Sequence, residues 1–596
     1  MSRRLRTRAV GAVASAVLGA AALAGCSSDG SEGEADGSSS SSSSASSGPS
    51  VDGAQDAAAV LAANKKAHDG EFDVEGAEDV QLDGKTVNLT EGGAYRLSGK
   101  LSDGQVVVNA PGQTVTLILD GVDIASSSGA AIAATSVEEL VVVLADGSSN
   151  SLSDADSYAE DAEADAALFS AGDLTIGGGG KLTVRGNGND GIASKDGLVI
   201  VSGTVVVDAA DDGVRGKDYL VVKGGSVTVT AGGDGLKADN SEDTDAGYLA
   251  LSAGTVKVTA AGDGVDVATD LVVTGGTLDV TAKATDDSSA HALKSGVITV
   301  LEKGTVDVDA SADGVHSDAA VHLGGAKVTV AAGDDGVHAE GDLVVSGGAV
   351  EVTRSNEGLE GKDITVSGGS TKVTSGDDGV NASGSTASSD QQEGGGGGPG
   401  GGGGPGGGAG GGGGGGESVG DYTLKVTGGT LVIDSDGDGF DSNGTAEITG
   451  GTLVVNGPEM GGNGALDVNG SFTVSGGVLL AAGSAGMAVA PDEESGQGWL
   501  SATLDSTVAA GTTLHVVDSD GEVVASYVTS KAIQNVVYSA SGIKSGEKYR
   551  IFSGGTASGT DTGGMYAAGD LDGADEIATV TAGDAPEGGF GGGPRR

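Results

Sequence analysis

A triplet made of an acidic residue, a glycine and an apolar residue recurs along this chain and constrains its fold more than any other feature. The acidic residues of the triplets are Asp190, Asp212, Asp234, Asp263, Asp313, Asp335, Glu357, Asp378 and Asp438. The first three are spaced by 22 residues, and the same spacing joins Asp313, Asp335 and Glu357. A fixed period of this size, built from short β-type segments without a helical pattern, is typical of a stacked β-solenoid.

The residues between two triplets show the pattern of one solenoid coil. In residues 212–233, the segments Tyr219–Val222 and Ser226–Thr230 are rich in valine and lie on either side of Gly224-Gly225. Three short strands and three turns in each 22-residue period favour a parallel β-helix. Equivalent residues of successive coils would then lie about 4.8 Å apart, so the triplet acids would form a column on one face.

The same pattern predicts the domain boundaries. We expect the β-helix over residues 72–490 and a small β domain over residues 491–556, where the period disappears and hairpin-like segments follow. The long step from Asp378 to Asp438 contains a glycine tract, and removal of residues 384–420 restores a step of about one period. We therefore interpret 384–420 as an inserted loop, and residues 557–596 as a flexible Gly-rich tail.

The first residues have the pattern of an export signal. Four arginines precede a small, apolar stretch, and Leu23-Ala24-Gly25-Cys26 resembles the bacterial lipobox. We expect a lipoprotein signal peptide over residues 1–25 and lipidation of Cys26, which would anchor an exported protein to the outer face of the bacterial cytoplasmic membrane. Residues 26–71 begin with a Ser-rich acidic stretch, which predicts a disordered tether, and the Ala-rich residues 54–68 within it indicate a short helix. The alternative is an ordinary signal peptide followed by a free cysteine.

The charge of the chain excludes several partners. Among 596 residues, 85 are acidic and 31 are lysine or arginine, which gives a formal net charge of −54. Nucleic acids and anionic lipid surfaces are also negative, so neither is expected as a partner. Membrane contact is expected only through the lipid anchor, and we expect a monomer. Because Cys26 is the sole cysteine, no disulfide within the chain is available.

The sequence resembles a family of exported carbohydrate-binding domain-containing proteins. Three segments carry the resemblance: NGNDGIASKDGLVIVSG, DDGVRGKDYLVVKGGSVTVTAGGDGLKAD and NEGLEGKDITVSGG. It extends over residues 72–555 and is shared with cellulose- and pectin-binding β-helix proteins. The resemblance implies an all-β fold, namely a right-handed parallel β-helix with a small C-terminal β segment. It also implies bound Ca²⁺ and polysaccharide binding without established lyase activity.

Metal ligands implied by this resemblance would fall on the triplet acids. Further acids lie beside them: Asp211, Asp266, Asp334, Glu360, Asp377 and Asp441. Ca²⁺ takes six to eight oxygen ligands, so two stacked acids together with turn carbonyls would supply a site. The alternative is that Asp-Gly only makes good turns, with solvated acids offset by lysines such as Lys237 and Lys294.

Two other metal patterns are weaker. His316 and His338 are 22 residues apart and are expected to stack, but two histidines without a fixed third ligand favour a polar surface stack over a zinc site. Residues 434–439 match the start of an EF-hand loop, yet Thr445 occupies the position of its bidentate glutamate. We therefore exclude an EF-hand.

The leading functional hypothesis is a lipid-anchored protein that binds polysaccharide without cleaving it and uses Ca²⁺ held by stacked acids. Aromatic residues make up only 3% of the chain, which favours an acidic, pectin-like glycan over a flat cellulose surface. A pectate-lyase-like enzyme is an alternative, with Arg215 and Lys217 as candidates for its base. A structural spacer or adhesin is the third hypothesis.

Overall fold

The computed structural model describes residues 51–284, 289–384 and 419–586. These residues form one short helix, α1 (Ala57–Ala63), and strands β1 to β51. Within these ranges no helix is both long and apolar enough to cross a lipid bilayer. The predicted signal peptide, Cys26 and most of the inserted loop lie outside the described residues.

The opening strands vary in length. They are β1 Glu78–Asp83, β2 Val87–Leu89, β3 Gly93–Leu101, β4 Val106–Asn109, β5 Thr114–Ala125, β6 Ile132–Ser136, β7 Glu139–Leu144, β8 Ser149–Ser153, β9 Ala166–Ser170, β10 Asp173–Gly178 and β11 Lys181–Gly186. Such irregularity is common in the terminal units of repeat proteins.

The strands that follow are short and regular. They are β12 Asp190–Ser194, β13 Gly197–Ile200, β14 Thr204–Ala209, β15 Val214–Gly216, β16 Tyr219–Val222, β17 Ser226–Ala231, β18 Leu236–Ala238, β19 Tyr248–Leu251, β20 Thr255–Ala260, β21 Val265–Val267, β22 Asp270–Val273, β23 Thr277–Ala282, β24 Leu293–Ser295, β25 Ile298–Leu301, β26 Thr305–Ala310, β27 Val315–Ser317, β28 Ala320–Leu323, β29 Lys327–Ala331, β30 Val337–Val345, β31 Ala349–Arg354, β32 Leu359–Val366, β33 Ser370–Ser375, β34 Val380–Ala382, β35 Thr423–Val426, β36 Thr430–Ser435, β37 Phe440–Ser442, β38 Thr445–Ile448, β39 Thr452–Asn456, β40 Leu466–Val468, β41 Phe472–Val474 and β42 Val478–Gly483.

The C-terminal strands are β43 Trp499–Val508, β44 Thr513–Val517, β45 Val523–Val528, β46 Ile533–Ser539, β47 Lys548–Ser553, β48 Thr556–Ser558, β49 Met565–Tyr566, β50 Ala568–Asp570 and β51 Asp575–Thr581. They pair antiparallel, which agrees with the predicted change of pattern after residue 490. Strand β46 pairs with both β42 and β43, so this region continues the large sheet before a separate five-stranded sheet begins.

Parallel pairing between every third strand organises the regular region, which belongs to a 44-stranded sheet. Strand β14 pairs with β17, β17 with β20, and β20 with β23, each in register. We call the three strands that begin at one triplet a repeat. In β17 the side chains of Val227, Val229 and Ala231 are buried and those between them are more exposed, so alternate residues fill one continuous apolar core.

The pairing continues on both sides of the inserted loop. Strand β32 pairs in parallel with β35, and β34 pairs with β37, which joins Asn381 to Asp441. The repeats before residue 384 and after residue 419 therefore stack in the register expected if 384–420 is an insertion. Residues 385–418 themselves lie outside the described part of the chain.

Two predicted boundaries differ from the structure. The tether was predicted over residues 26–71 with a short helix within 54–68. Helix α1 lies in that range, and the side chain of its N-cap Asp56 accepts a hydrogen bond from Ala59 N, but the helix is not part of a free tether. Val60 of this helix packs against Ile298 and Val300, because its apolar face matches an apolar patch on the strands. Similarly, β51 lies in the predicted flexible tail and pairs antiparallel with β47.

Candidate functional site

The triplets of the sequence define one position in each repeat, at the bend before a short strand. The glycine there is needed for space, because a Cβ at Gly213 would lie 2.2 Å from Val229 Cγ1 and 2.6 Å from the Gly235 carbonyl oxygen. Successive bends therefore stack backbone on backbone. We call the first residues of these triplets, together with His291 at the equivalent position, the acid ladder.

Most ladder acids use one carboxylate oxygen to bind the backbone of the next repeat. The backbone N–H groups that donate are Asp212 to Asp190 (3.3 Å), Asp234 to Asp212 (2.9 Å), Asp263 to Asp234 (2.8 Å), His291 to Asp263 (2.7 Å), Asp335 to Asp313 (3.1 Å), Asp438 to Asp378 (2.6 Å) and Gly464 to Asp438 (2.6 Å). The ladder acids therefore bond successive repeats to one another. Neither the predicted column of metal ligands nor the alternative of local turn formation included this role.

This arrangement leaves the second oxygen of each ladder acid for other partners. The residues three further along lie on the short strands, and strand register places them in a second row, of which Lys237, Lys294 and His316 contact a ladder carboxylate. We call it the facing row, and it consists of Ala193, Arg215, Lys237, Asp266, Lys294, His316, His338, Glu360, Asn381, Asp441 and Asp467.

The first part of the facing row neutralises the ladder with lysine. Lys237 Nζ lies 2.6 Å from Asp234 Oδ2 and 3.1 Å from Asp212 Oδ2, and Lys294 Nζ lies 3.5 Å from Asp263 Oδ2. The negative charge of two nearby acids is less well neutralised by lysine. Burial and repulsion from Asp212 raise the pKa of Asp190 to about 7, while burial and repulsion from Asp234 raise the pKa of Asp266 to about 6.

Histidines occupy the middle of the two rows. The rings of His291, His316 and His338 stack with centroid separations of 4.9 and 5.0 Å. His316 Nδ1 lies 2.8 Å from Asp313 Oδ2, and its Nε2 lies 3.3 Å from Asp318 Oδ1. Burial opposes the charge of His316, but the hydrogen bonds to the two carboxylates prevail and raise its pKa to about 9.

The last part of the facing row carries no cationic side chain among the described residues. Burial and mutual repulsion of the acids raise the pKa of Glu357 to about 8, of Asp378 to about 7 and of Asp441 to about 9. Burial also raises the pKa of Glu360, whose Oε2 lies 3.6 Å from His338 Nδ1. We call Glu357, Glu360, Asp378 and Asp441 the acidic end.

A buried amide oxygen lies within the acidic end. Asn381 is 9% exposed, and its Nδ2 donates to Glu357 Oε2 at 3.1 Å. Its Oδ1 is buried without a hydrogen-bond partner, which is costly unless a group absent from the protein satisfies it. Carboxylate and amide oxygens are a donor set that fits a hard divalent ion such as Ca²⁺.

The remaining predicted ligands do not belong to either row. Asp211, Asp334 and Asp377 each precede a ladder acid and are exposed at the outer side of the bend. Burial and repulsion from Asp313 and Glu360 nevertheless raise the pKa of Asp334. These three side chains are therefore peripheral to the sites that the rows form.

Within the described parts of the chain, three groups of side chains lie close enough to share a metal ion, with ligand atoms within 4.8 Å of one another. They are His291 with Asp313 and His316, Asp313 with Asp335 and His338, and Asp335 with Glu357 and Glu360. Sequence reasoning identified the acids but not His291 as a ligand. It also missed the facing row, although the residue that directly follows each triplet belongs to that row.

Part of the chain is similar to known proteins. Residues 83–336 match the family model described as carbohydrate-binding domain-containing protein. A protein of the same description from Acetivibrio thermocellus is 38% identical over 130 residues, which are 21% of this chain and 46% of that relative. The chain therefore spans about half the length of the curated relative it matches. This part of the chain is therefore similar to proteins described as carbohydrate-binding domain-containing.

A solved structure is also similar. It is described as the polysaccharide lyase-like protein from C. thermocellum, in a gadolinium derivative. The similarity has 29% sequence identity and covers 43% of this chain and 91% of that chain, with a TM-score of 0.33. A TM-score this low supports no inference about fold or activity.

Proposed function

We propose that this protein binds acidic polysaccharide without cleaving it, through Ca²⁺ held by the stacked acids of the acidic end. Carbohydrate binding is supported by the match of residues 83–336 to the family model described as carbohydrate-binding domain-containing protein. The glycan class follows from charge. A chain with a formal charge of −54 repels an acidic polymer unless cations bridge the two.

The acidic end supports Ca²⁺ as the bridging ion. Glu357, Asp378 and Asp441 are half-buried. Their raised pKa values indicate that ionised carboxylates are unfavourable in this site when no cation neutralises them. A divalent cation would relieve that repulsion and would supply a partner for the Asn381 oxygen. Ca²⁺ keeps further coordination positions, which a glycan carboxylate can occupy.

The proposed architecture is a right-handed parallel β-helix of about 22 residues per coil. Parallel pairing of every third strand over β12 to β29 is the pattern that such a helix requires, and the ladder bonds recur in most coils. A long, straight face of repeated bends suits an extended polymer better than a deep pocket does. We further propose that Cys26 carries a lipid and holds this face outside the cell.

A lyase is the second candidate, and the contacts of Arg215 favour binding over it. Arg215 Nε and Nη2 form a bidentate pair with Asp239, at 3.1 and 2.6 Å. Although burial opposes its charge, this pair raises the pKa of Arg215. A base that abstracts a proton must be neutral when it acts, and this environment keeps the guanidinium charged.

Incubation of the purified protein with polygalacturonate and Ca²⁺ tests the proposal. We expect the protein to be retained by the polymer, to be released by chelator, and to form no unsaturated sugar product. Accumulation of unsaturated product would instead establish a lyase. If neither retention nor product is found, a spacer or adhesin would be favoured, and a glycan array with and without chelator would test other polymers.

A further inference from the structure

The middle of the acid ladder has the donor geometry of a transition-metal site rather than of a calcium site. Three side chains converge there. His291 Nε2 lies 3.5 Å from Asp313 Oδ2, and His316 Nδ1 lies 2.8 Å from the same oxygen. The three side chains are between 7% and 16% exposed, so the site is shielded but open on one side.

We propose that His291, Asp313 and His316 bind one Zn²⁺-class ion. In tetrahedral sites with bonds of about 2.1 Å, ligand atoms lie about 3.4 Å apart. The distance between His291 and Asp313 already matches this value. The shorter distance between His316 and Asp313 is that of a hydrogen bond, and it needs to open by roughly half an ångström when a metal replaces the bridging proton.

The second nitrogen of each histidine supports this assignment. With Nε2 on the metal, His291 Nδ1 is placed to donate to Asp263 Oδ1, which lies 3.2 Å away. With Nδ1 on the metal, His316 Nε2 is placed to donate to Asp318 Oδ1 at 3.3 Å. Carboxylates behind both metal-binding histidines are the arrangement that fixes tautomer and ring orientation in zinc sites.

The carboxylate ligand is held in the same way. Asp313 Oδ1 accepts the backbone N–H of Asp335 at 3.1 Å, which leaves Oδ2 facing the two histidines. A further nitrogen, His338 Nδ1, lies 3.8 Å from that oxygen. Imidazole nitrogen favours zinc, copper or nickel over calcium, so this site would differ in metal from the acidic end.

Calorimetric titration of the purified full chain with Zn²⁺, after chelation and in millimolar Ca²⁺, tests the proposal. We expect a site of micromolar or tighter affinity that Ca²⁺ does not displace. His291→Ala and His316→Ala should each weaken Zn²⁺ binding by at least about 100-fold, and Asp318→Asn by at least about tenfold, because loss of an outer carboxylate costs about 10- to 100-fold. His322→Gln is the matched control, since His322 bonds to Gln55 O and Ser346 Oγ away from the cluster.

Absence of micromolar Zn²⁺ binding, or displacement of Zn²⁺ by Ca²⁺, would overturn the proposal. The same holds if the His291 and His316 variants bind Zn²⁺ like the His322 control. If an alanine variant does not fold, His316→Gln replaces it, and the parent protein is titrated with Co²⁺. We expect the visible absorption bands of nitrogen-bound Co²⁺ with low coordination number, and a spectrum like that of hydrated Co²⁺ would refute the site.

Discussion

Replacement of Asp234 separates the two roles that the structure gives to a ladder acid. Asp234 Oδ1 accepts the backbone N–H of Asp263 at 2.8 Å, and Oδ2 pairs with Lys237 at 2.6 Å. Asp234→Ala removes both interactions and leaves the Asp263 N–H without its acceptor, which costs about 1–3 kcal/mol. Asp234→Asn keeps an amide oxygen for that N–H and loses only the ion pair.

The ion pair is expected to contribute little. Lys237 retains Asp212 Oδ2 at 3.1 Å, and removal of one charge relieves repulsion between neighbouring acids. A partly exposed pair of this kind contributes up to about 1 kcal/mol. We therefore expect Asp234→Asn to be at least about 1 kcal/mol more stable than Asp234→Ala, with Asp211→Ala, at an exposed neighbouring acid, close to the parent.

Hydrogen exchange in chelator is the suitable assay, because stacked repeats need not unfold in one cooperative step. The amide of Asp263 should stay protected in Asp234→Asn and should exchange about 5- to 160-fold faster in Asp234→Ala, as a free-energy difference of about 1–3 kcal/mol implies. Equal exchange in the two variants would refute the ladder bond. Equal loss of protection in both variants would show that the charge, which both substitutions remove, and not the hydrogen bond, holds the bend.

Three further predictions follow from the acidic end, the N-terminus and the inserted loop. Folding raises the pKa of Glu357 to about 8 and of Asp441 to about 9, so the folded state keeps protons that the unfolded chain loses above about pH 4. Without Ca²⁺ the free energy of unfolding should therefore fall by at least about 2 kcal/mol between pH 5 and 9, and saturating Ca²⁺ should reduce this loss; a rise in stability over that range contradicts the shifts. Cys26→Ser should move the protein from the membrane fraction to the medium or leave it unprocessed, and unchanged partition into detergent would exclude lipidation. Deletion of residues 384–420 should preserve the melting temperature within a few degrees, because β34 and β37 already pair across the gap; loss of the melting transition would place the segment in the core.

The sequence predicted the stacking of the strands but not the bonds made at each bend. The 22-residue step from Asp212 to Asp234 indicated that these residues would be neighbours, and the structure pairs their strands accordingly. The hydrogen bond from Asp234 N to Asp212 depends on a side-chain rotamer and on the tilt of the next backbone. The length of the repeat period predicts neither the rotamer nor the backbone tilt.

The facing row was predictable in principle. Lys237 follows its ladder acid by three residues, and Asp441 follows Asp438 by the same step. Register therefore fixes both in one row, with lysine and histidine in its first part and acids in its last part. The packing of α1 was harder to predict, because Val60 contacts strands more than 200 residues away. Local apolar pattern gives no information about such distant partners.

Calcium-dependent retention by polygalacturonate, compared between the parent and the Glu357→Gln/Asp441→Asn variant at matched ionic strength, tests the central claim most directly. Asp83→Asn/Glu91→Gln, at two exposed acids before the ladder begins, is the charge-matched control. The account predicts that Ca²⁺ retains the parent and the control, that chelator releases both, and that the acidic-end variant is retained at least about tenfold more weakly in Ca²⁺. Equal retention of all three proteins, or retention of the parent that chelator does not reduce, would contradict it.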